Sequence, residues 1–375
     1  MWRRNQDVRF PTPRCPKDQP SHVWYLRQNW NRQVSIEASA TSLRFAIIGA
    51  GRLGASLALA LRSREQLLTG FTAGSSAGLA RAQAWLGVPG VPTLADLVET
   101  RPDLYVICVP DGAVAGVAAA LATELGAGRG SAAGTVVAHT SGATSIAALQ
   151  ACAEAGTATL VFHPLQTFPE PLTGSTRFAG AGVALTPGPI RPDEAGAIGM
   201  RLAETLGMRA FFLADDKRGL YHAAATVACN YLVTLEHAAN ELFVEAGVPE
   251  RVSLSLFLPL VTATLENLAT RGSVEALTGP LSRGDVATVA THLQALAADA
   301  PHLLPVYRAL GEATLPLVAA KPDVSHHTLE RLEKLLAASA GTPPATHGPA
   351  PAPADKRDFA ETRPQQRKDS DVSSA

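Results

Sequence analysis

A glycine-rich turn is the first part of the sequence whose residue types and spacing could serve chemistry. Residues 49–54 read Gly-Ala-Gly-Arg-Leu-Gly, after a short apolar run and before a strong helix-forming segment. There Gly49 permits a tight turn, Gly51 lets the backbone approach a pyrophosphate at the helix N-terminus, and Gly54 lets helix and strand pack closely. A turn without a ligand is the alternative, but the flanking strand and helix favour dinucleotide binding. The predicted cofactor-binding residues here are Gly49, Gly51, Arg52, Leu53 and Gly54.

The segment after the second predicted strand bears on the choice of nicotinamide cofactor. NAD sites place an acidic residue there for the ribose 2′-hydroxyl. No Asp or Glu occurs between Gln66 and Ala95, and the expected position holds Ser75 and Ser76. Hydroxyls without a carboxylate suit a 2′-phosphate, so the sequence predicts NADP in preference to NAD. The alternative is that the serines only cap the next helix.

Polar residues also follow three further predicted strands. They are Val109-Pro110-Asp111, His139-Thr140-Ser141-Gly142 and His163-Pro164-Leu165-Gln166. Ligands of parallel α/β sheets gather beyond the carboxyl ends of the strands, so these segments should converge. Val109, Pro110 and Asp111 are assigned to the cofactor. Ser141, Gly142 and Gln166 are assigned to a substrate.

The second half of the chain contributes a stripe of uncharged polar residues. His222, Thr226, Asn230 and Thr234 follow at steps of four and share one face of a single helix predicted from about residue 216 to 246. A solvated face would carry Lys and Glu, so this stripe indicates a helix face on a cavity. A core histidine satisfied by a neighbour is the alternative.

A turn-rich segment further along contains Arg283. Asp285 is explained as the N-cap of the following helix, whereas Arg283 lies among small residues at 278–284. A guanidinium there could bind a carboxylate through two parallel hydrogen bonds. Arg283 is therefore a predicted substrate-binding residue, with a surface arginine as the alternative.

The elements that must position these residues predict an α/β protein. Apolar strands alternate with helices in the first half, as in a doubly wound parallel Rossmann sheet, and an all-helical domain follows. Four segments are predicted: a disordered extension or misplaced start at 1–42, the Rossmann domain at 43–215, the helical domain at 216–340 and a disordered tail at 341–375.

Composition excludes several classes of function. The formal net charge is −1, which disfavours a nucleic-acid partner, since such proteins need a basic face. No run reaches ~18 uninterrupted apolar residues, so no membrane segment is expected. Four cysteines without a CxxC pair predict neither a metal site nor a disulfide framework. A cytoplasmic protein is expected.

Taken together, these strings resemble a bacterial family of Rossmann-like proteins with a helical C-terminal domain of unknown function. The strings are the glycine turn, 109–111, 139–143, 162–168, 221–225, Asn230-Tyr231 and 279–285. That family is similar in architecture to 6-phosphogluconate and β-hydroxyacid dehydrogenases, pyrroline-5-carboxylate reductase, ketopantoate reductase and prephenate dehydrogenase. The resemblance implies an oxidoreductase that dimerises through its helical domain. His163-Pro164 resembles the His-Pro pair of prephenate dehydrogenases, and Lys217 with Asn230 resembles the Lys-Asn pair of β-hydroxyacid dehydrogenases at a wider spacing.

The function predicted from these features is NADP-dependent reduction of a small carbonyl acid such as a 2-keto acid. His222 and His163 are candidate proton donors because imidazole titrates near neutral pH. Lys217 is a third donor candidate or an oxyanion stabiliser, and Asn230 would orient the substrate with Thr226. A prephenate-type dehydrogenase, an imine reductase and an NADP-binding regulator without turnover remain as alternatives.

Overall fold

The structure, a computed structural model, describes residues 42–129 and 132–337. The predicted extensions at 1–42 and 341–375 lie outside the described residues, apart from Ser42. The chain divides into two compact units, Met1–Leu232 and Val233–Ala375. This division falls later than the boundary predicted at residue 215, and residues 216–232 belong to the first unit.

In the described part of the first unit, seven strands form one sheet: β1 (Arg44–Ile48), β2 (Leu67–Thr72), β3 (Leu104–Ile107), β4 (Val136–His139), β5 (Ala158–Leu165), β6 (Gly182–Pro187) and β7 (Arg209–Phe212). Their order across the sheet is β2-β1-β3-β4-β5-β6-β7. All neighbours are parallel except β5 and β6, which are antiparallel. The predicted Rossmann sheet is confirmed, with one antiparallel pair that the sequence analysis did not predict. Because the order reverses at β1, the ligand crevice lies beyond the carboxyl ends of β1 and β3.

Strand β1 shows why the predicted strands are uninterrupted apolar runs. Phe45 and Ile47 belong to the apolar core on one face of the sheet, and Ala46 and Ile48 belong to the core on the other face. Successive side chains of a strand point to opposite faces, so a strand covered on both sides must be apolar throughout.

Strand β5 is longer than predicted. The sequence placed its end at Phe162, but β5 continues to Leu165, with His163 paired to Ala184 of β6. The antiparallel neighbour supplies hydrogen-bond partners for these additional residues, which the local sequence does not indicate. His163 therefore lies within a strand and not in the loop after it.

Among residues 42–129 and 132–232, eight helices accompany the sheet: α1 (Arg52–Arg62), α2 (Ser76–Leu86), α3 (Leu94–Glu99), α4 (Val114–Glu124), α5 (Gln150–Glu154), α6 (Pro171–Ser175), α7 (Pro192–Leu206) and α8 (Arg218–Ala228). Short 3-10 turns lie at Asp111–Ala113, Ile146–Leu149 and Asp215–Lys217, and a π-turn lies at Leu125–Arg129.

Helices make up the described part of the second unit: α9 (Asn230–Glu245, beginning in the first unit), α10 (Glu250–Ala276), α11 (Gly279–Ser282), α12 (Val286–Asp299), α13 (Leu304–Ala319) and α14 (His326–Ala337). A 3-10 turn lies at Pro301–Leu303. The core of this unit includes Val289, Leu293, Leu332 and Leu336. The predicted helical second half is confirmed.

The single helix predicted over residues 216–246 is wrong. It is divided into α8 and α9 at Cys229, whose φ of −120° and ψ of −64° lie outside helical geometry. The residue before α8 is Lys217, which provides no side-chain cap. The break separates Thr226 from Asn230, so the predicted polar stripe does not lie on one continuous helix face.

Helix α10 is mostly exposed, with only Ser253 and Phe257 buried along its 27 residues. Among the described residues it is the one helix whose length and apolar composition would suffice to cross a membrane. Its uncharged run, residues 252–265, ends at Glu266. At 1.5 Å per residue this run is about 21 Å long, shorter than the ~30 Å hydrocarbon layer.

Candidate functional site

The glycine turn has the geometry that its sequence predicts. Gly49 has a φ of +91°, and a Cβ on it would lie 2.6 Å from the Cys108 carbonyl oxygen. A Cβ on Gly54 would lie 2.5 Å from the Gly49 carbonyl oxygen and 3.0 Å from Ile47 Cγ2. A Cβ on Gly51 would meet no atom within 4 Å. Gly49 and Gly54 are thus needed for the turn and for packing, whereas the space beside Gly51 is open to a ligand.

Helix α1 begins directly after this open space. Gly51 is its N-cap and offers no side-chain hydrogen bond, and no acidic residue lies in its first turn. The first amides of a helix have no partner within the helix, and the helix dipole favours an anion there. Arg52 is exposed and Leu53 half-buried at this end. The turn therefore fits the pyrophosphate of a dinucleotide.

The other predicted cofactor residues lie along the same edge of the sheet. Val109 follows β3, and its Cγ1 would lie 2.7 Å from a Cβ on Gly49. Pro110 precedes the 3-10 turn that begins at Asp111. Ser75 accepts a hydrogen bond from the Gly78 amide at 3.1 Å and caps α2. The capping alternative for Ser75 is therefore correct, and a contact of Ser75 or Ser76 with a 2′-phosphate stays a prediction.

Gly142 follows β4 and lies beside two histidines, His163 of β5 and His222 of α8. Together with His139 and Tyr221 we call these two residues the histidine cluster. A Cβ on Gly142 would lie 2.7 Å from His163 Nε2 and 2.8 Å from His222 Nδ1. The two imidazoles face one another across this glycine, with ring centroids 6.4 Å apart. The structure thus brings His163 and Gly142 together, as the sequence predicted for segments that follow neighbouring strands, and it also places His222 beside Gly142, which the sequence did not predict.

Tyr221 belongs to this cluster although the sequence analysis did not select it. Its hydroxyl lies 2.8 Å from His163 Nδ1, and the two rings are nearly perpendicular. Burial raises the pKa of Tyr221, and the charge of Arg218 opposes that shift. The phenol is therefore protonated at neutral pH and supplies His163 with a fixed hydrogen-bond partner. Its position next to His222 in the sequence was the available signal.

The cluster also contains ring nitrogens without partners. His139 is fully buried, and its Nδ1 accepts a hydrogen bond from the Ser141 amide at 3.2 Å. Its proton therefore lies on Nε2, an atom that is buried and has no hydrogen-bond partner. The Ser145 backbone raises the pKa of this ring, but burial lowers it by more. His222 Nδ1 is likewise buried without a partner. Such unsatisfied atoms are costly unless a ligand or water satisfies them.

Burial determines the protonation of two of these rings. It lowers the pKa of His139 to about 4, with a further contribution from the charge of Arg218. Burial also lowers the pKa of His163 to about 4, followed by the effects of His222 and Arg218. Both imidazoles are therefore neutral at pH 7, where they can accept a proton or donate a neutral N–H.

Several other predicted residues have local partners. Lys217 pairs with Asp216 at 3.0 Å, and both side chains are largely exposed. Gln166 accepts from the Thr167 amide at 2.8 Å. Ser141 Oγ donates to Thr144 at 2.8 Å. Thr226 donates to the His222 carbonyl at 3.0 Å. These contacts leave their proposed catalytic or substrate-binding roles as predictions.

Asn230 and Arg283 belong to parts of the chain that do not carry the histidine cluster. Asn230 begins α9 after the break at Cys229. Arg283 follows α11 in the second unit, and Asp285 caps α12 by accepting from the Thr288 amide, as predicted. The roles of Asn230 and Arg283 stay predictions. Within residues 42–129 and 132–337, no three His, Cys, Asp or Glu side chains are arranged to hold a metal ion.

The sheet order and the glycine turn define a Rossmann-type protein. Residues 31–164 match the family model of a Rossmann-like domain. Residues 191–314 match DUF2520, described as a domain of unknown function. The chain therefore contains a region that matches a Rossmann-like domain, followed by a region that matches DUF2520, as the resemblance in its sequence implied.

Solved structures with a similar fold include several oxidoreductases. A candidate NADP oxidoreductase from Bacteroides fragilis is 22% identical with a TM-score of 0.56, covering 72% of this chain and 96% of that one. A 1-pyrroline-5-carboxylate reductase from Streptococcus pyogenes is 16% identical with a TM-score of 0.52, covering 78% and 99%. The NADP-bound pyrroline carboxylate reductase of Plasmodium falciparum is 12% identical with a TM-score of 0.51, covering 78% and 98%. These likenesses concern the fold. No curated protein matches the chain.

Proposed function

We propose that this protein is an NAD(P)-dependent oxidoreductase that reduces a small carbonyl compound. The observation that carries the proposal is the histidine cluster on the same edge of the sheet as the glycine turn. In the order β1-β3-β4-β5, three strand spacings of about 4.8 Å separate the two, or about 14 Å. A dinucleotide with its pyrophosphate at the glycine turn would extend along this edge toward the cluster.

The residues proposed to hold the cofactor are those of the glycine turn with Val109, Pro110 and Asp111. When bound, the nicotinamide would supply the hydride. The chain's own residues would then orient the carbonyl and manage the proton. His163, neutral at pH 7, would donate a hydrogen bond from Nε2 to the carbonyl oxygen while Nδ1 accepts from the Tyr221 hydroxyl. A neutral imidazole can polarise a carbonyl in this way.

His222 is the proposed proton donor beside that carbonyl. Its Nδ1 faces the same space as His163 Nε2 and lacks a partner of its own. Lys217 stays a weaker candidate because it is exposed and paired with Asp216. Arg283 is proposed to bind the carboxylate of a keto-acid substrate, since its guanidinium can hold both oxygens in one plane.

The proposed cofactor is NADP. Support comes from the lack of any acidic residue between Gln66 and Ala95 and from the NADP-bound state of the Plasmodium falciparum structure. Calorimetric titration should give tighter binding of NADPH than of NADH, and equal affinities would contradict the preference. Ser75→Asp should weaken NADPH more than NADH, because it places a negative charge where the 2′-phosphate is expected.

A second candidate is a dehydrogenase of the prephenate type. The feature favouring it is the His163-Pro164 pair, whose imidazole Nε2 lies beside Gly142 and could accept a proton from a substrate hydroxyl. The deciding experiment follows NADPH absorbance with 2-keto acids and imines, and NADP+ reduction with hydroxy acids. Carbonyl-dependent NADPH loss supports the first proposal, and activity only with hydroxy acids supports the second. Tight NADPH binding without turnover would indicate a regulator.

We also propose that the chain forms a homodimer through its helical unit. The support is the exposed apolar surface of α10, where Leu256 is 65% and Leu260 67% exposed. The uncharged run of this helix is too short to span a bilayer, so a second copy is the favoured occupant. Light scattering should give twice the chain mass, and Leu256→Glu with Leu260→Glu should give the single mass. Co-sedimentation of the wild type with lipid vesicles would contradict this assignment. A cytoplasmic location stays a prediction.

A further inference from the structure

Arg218 is a charged side chain that is buried beside the histidine cluster. It is 2% exposed, and its guanidinium bonds to three separate parts of the first unit. Nε donates to Asp215 Oδ1 at 3.0 Å, Nη1 to the Gly142 carbonyl at 3.3 Å and Nη2 to Thr186 Oγ1 at 2.6 Å. A buried guanidinium is costly unless it is paired and hydrogen-bonded, so this arrangement needs all three partners.

Asp215, the acidic partner of Arg218, holds the other end of the segment that contains Gly142. It accepts from the Ser145 hydroxyl at 2.5 Å and from the Ile146 amide at 2.9 Å. The Arg218–Asp215 pair therefore binds residues 142–146 through three hydrogen bonds, one at Gly142, one at Ser145 and one at Ile146. Thr186 in turn donates to the Leu213 carbonyl at 2.6 Å, which connects β6 to the end of β7.

These contacts converge on the reactive side chains. Gly142 lies between the His163 and His222 rings, and Arg218 lies on the first turn of α8, which carries Tyr221 and His222. We propose that Arg218 is a positioning residue that fixes the Gly142 peptide between the two imidazoles and holds the first turn of α8 against it. Its catalytic consequence rests on the oxidoreductase function proposed above.

The charge of Arg218 also acts on the histidine cluster, because it disfavours protonation of His163. The groups that affect the charge of His163 are His222, Arg218 and His139, which disfavour its protonation, and Asp111, which favours it. The Tyr221 hydroxyl adds a hydrogen bond to the ring. Arg218 therefore helps to keep His163 neutral, the form that can donate a neutral N–H or accept a proton.

Arg191 provides the matched comparison for a purely structural arginine. It bonds to the carbonyls of Ala132, Thr135 and Gly156 and pairs with Glu194, so it also joins separate segments. None of these partners belongs to the histidine cluster. Arg191→Lys should lower the melting temperature without changing the pKa of His163.

The test separates the charge of Arg218 from its geometry by histidine NMR titration of the full chain. Arg218→Met combined with Asp215→Asn removes the charges as a pair and should raise the pKa of His163 on the order of one pH unit. Arg218→Lys keeps the charge and should leave that pKa low. Identical His163 titration in the wild type and the Met–Asn variant would overturn the electrostatic part of the proposal, whether or not a substrate is known.

The geometric part is tested by turnover per folded molecule. Arg218→Lys should lower kcat about 10-fold or more with little change in NADPH affinity, because the planar fork to Gly142 and Thr186 is lost. Thr186→Val keeps the charge, removes one acceptor, and should lower kcat several-fold, which keeps the proposal testable if the Met–Asn variant does not fold. Wild-type kcat in both variants, with only a lower melting temperature as in Arg191→Lys, would show that Arg218 is structural.

Discussion

The part of the chain that the structure describes contains two histidine–tyrosine pairs with nearly the same geometry, one in each compact unit. His163 lies 2.8 Å from the Tyr221 hydroxyl, and His292 lies 2.8 Å from the Tyr307 hydroxyl, with rings at 89° and 86°. His292 lies on α12 one residue before Leu293 of the helical core. The first pair instead adjoins a glycine, a second imidazole and a buried arginine. The hydrogen bond alone therefore does not define a site, and the surroundings of His163 distinguish it.

The largest expected effect is on turnover, which should depend on the histidines of the first unit and not on His292 of the second. His222→Ala should cut turnover by ~10²–10⁴ while NADPH affinity stays nearly intact, because a proton donor is removed. His163→Ala tests the competing assignment by the same assay. His292→Ala is the matched control and should change the melting temperature without changing turnover per folded molecule. If His222→Ala behaves like His292→Ala, the histidine is a core residue.

The buried state of His139 predicts a pH-dependent stability. Its folded pKa of about 4 lies below the unfolded value near 6.5, so the unfolded chain binds a proton first as pH falls. Stability is therefore fully present above about pH 6.5 and is lost as pH falls toward 4, by roughly 3 kcal/mol for this group. His139→Gln should flatten the dependence in urea unfolding between pH 4 and 7. The remaining slope should come in part from His163, and an unchanged slope would contradict the assignment.

Gly142 lies beside the pair of His163 and Tyr221, and its lack of a side chain leaves room for the rings of His163 and His222. A Cβ at this position would lie within 2.9 Å of atoms of His163 and His222, so Gly142→Ala must displace the rings. Misplacement of about 1 Å can cost about 10²-fold in rate, and we expect a loss of that order in kcat. Gly51→Ala is the control, because its Cβ meets no protein atom, and it should affect cofactor affinity instead. Wild-type kcat for Gly142→Ala would show that the rings move freely.

The smallest expected effect compares the two tyrosines. Tyr221→Phe removes the partner of His163 Nδ1 and should lower kcat by about 5- to 10-fold, the equivalent of one hydrogen bond of ~1 kcal/mol. Tyr307→Phe removes the same type of bond from His292 and should lower stability by a similar free energy with kcat unchanged. Equal kcat values in Tyr221→Phe and Tyr307→Phe would show that the pair of His163 and Tyr221 contributes no more to turnover than the pair of His292 and Tyr307.

The glycine turn could be predicted from sequence because its requirements are local. The positive φ of Gly49 and the close packing of Gly54 arise within six residues that follow a recognisable strand. Arg218 and Tyr221 could not be found in the same way. Their partners Gly142 and His163 lie 76 and 58 residues earlier, and only the folded sheet brings them together.

The errors in the helical half have a related cause. Periodicity predicted one helix through residue 229, because local propensity contains no signal strong enough to place a break at Cys229. The polar stripe from His222 was therefore extended across a discontinuity. The part before the break carries His222, which lies beside Gly142 in the first unit, a position that the sequence did not predict.

The sheet continues across the boundary between the two matched sequence families. His163 belongs to the Rossmann-like match and His222 to the DUF2520 match, yet both lie in one compact unit. Strand β7 and helix α8 come from the second match and complete the first unit. Exchange of the segment after residue 190 for that of another protein would therefore replace His222, Tyr221 and Arg218 together with the last strand, and it would give His163 a different neighbour.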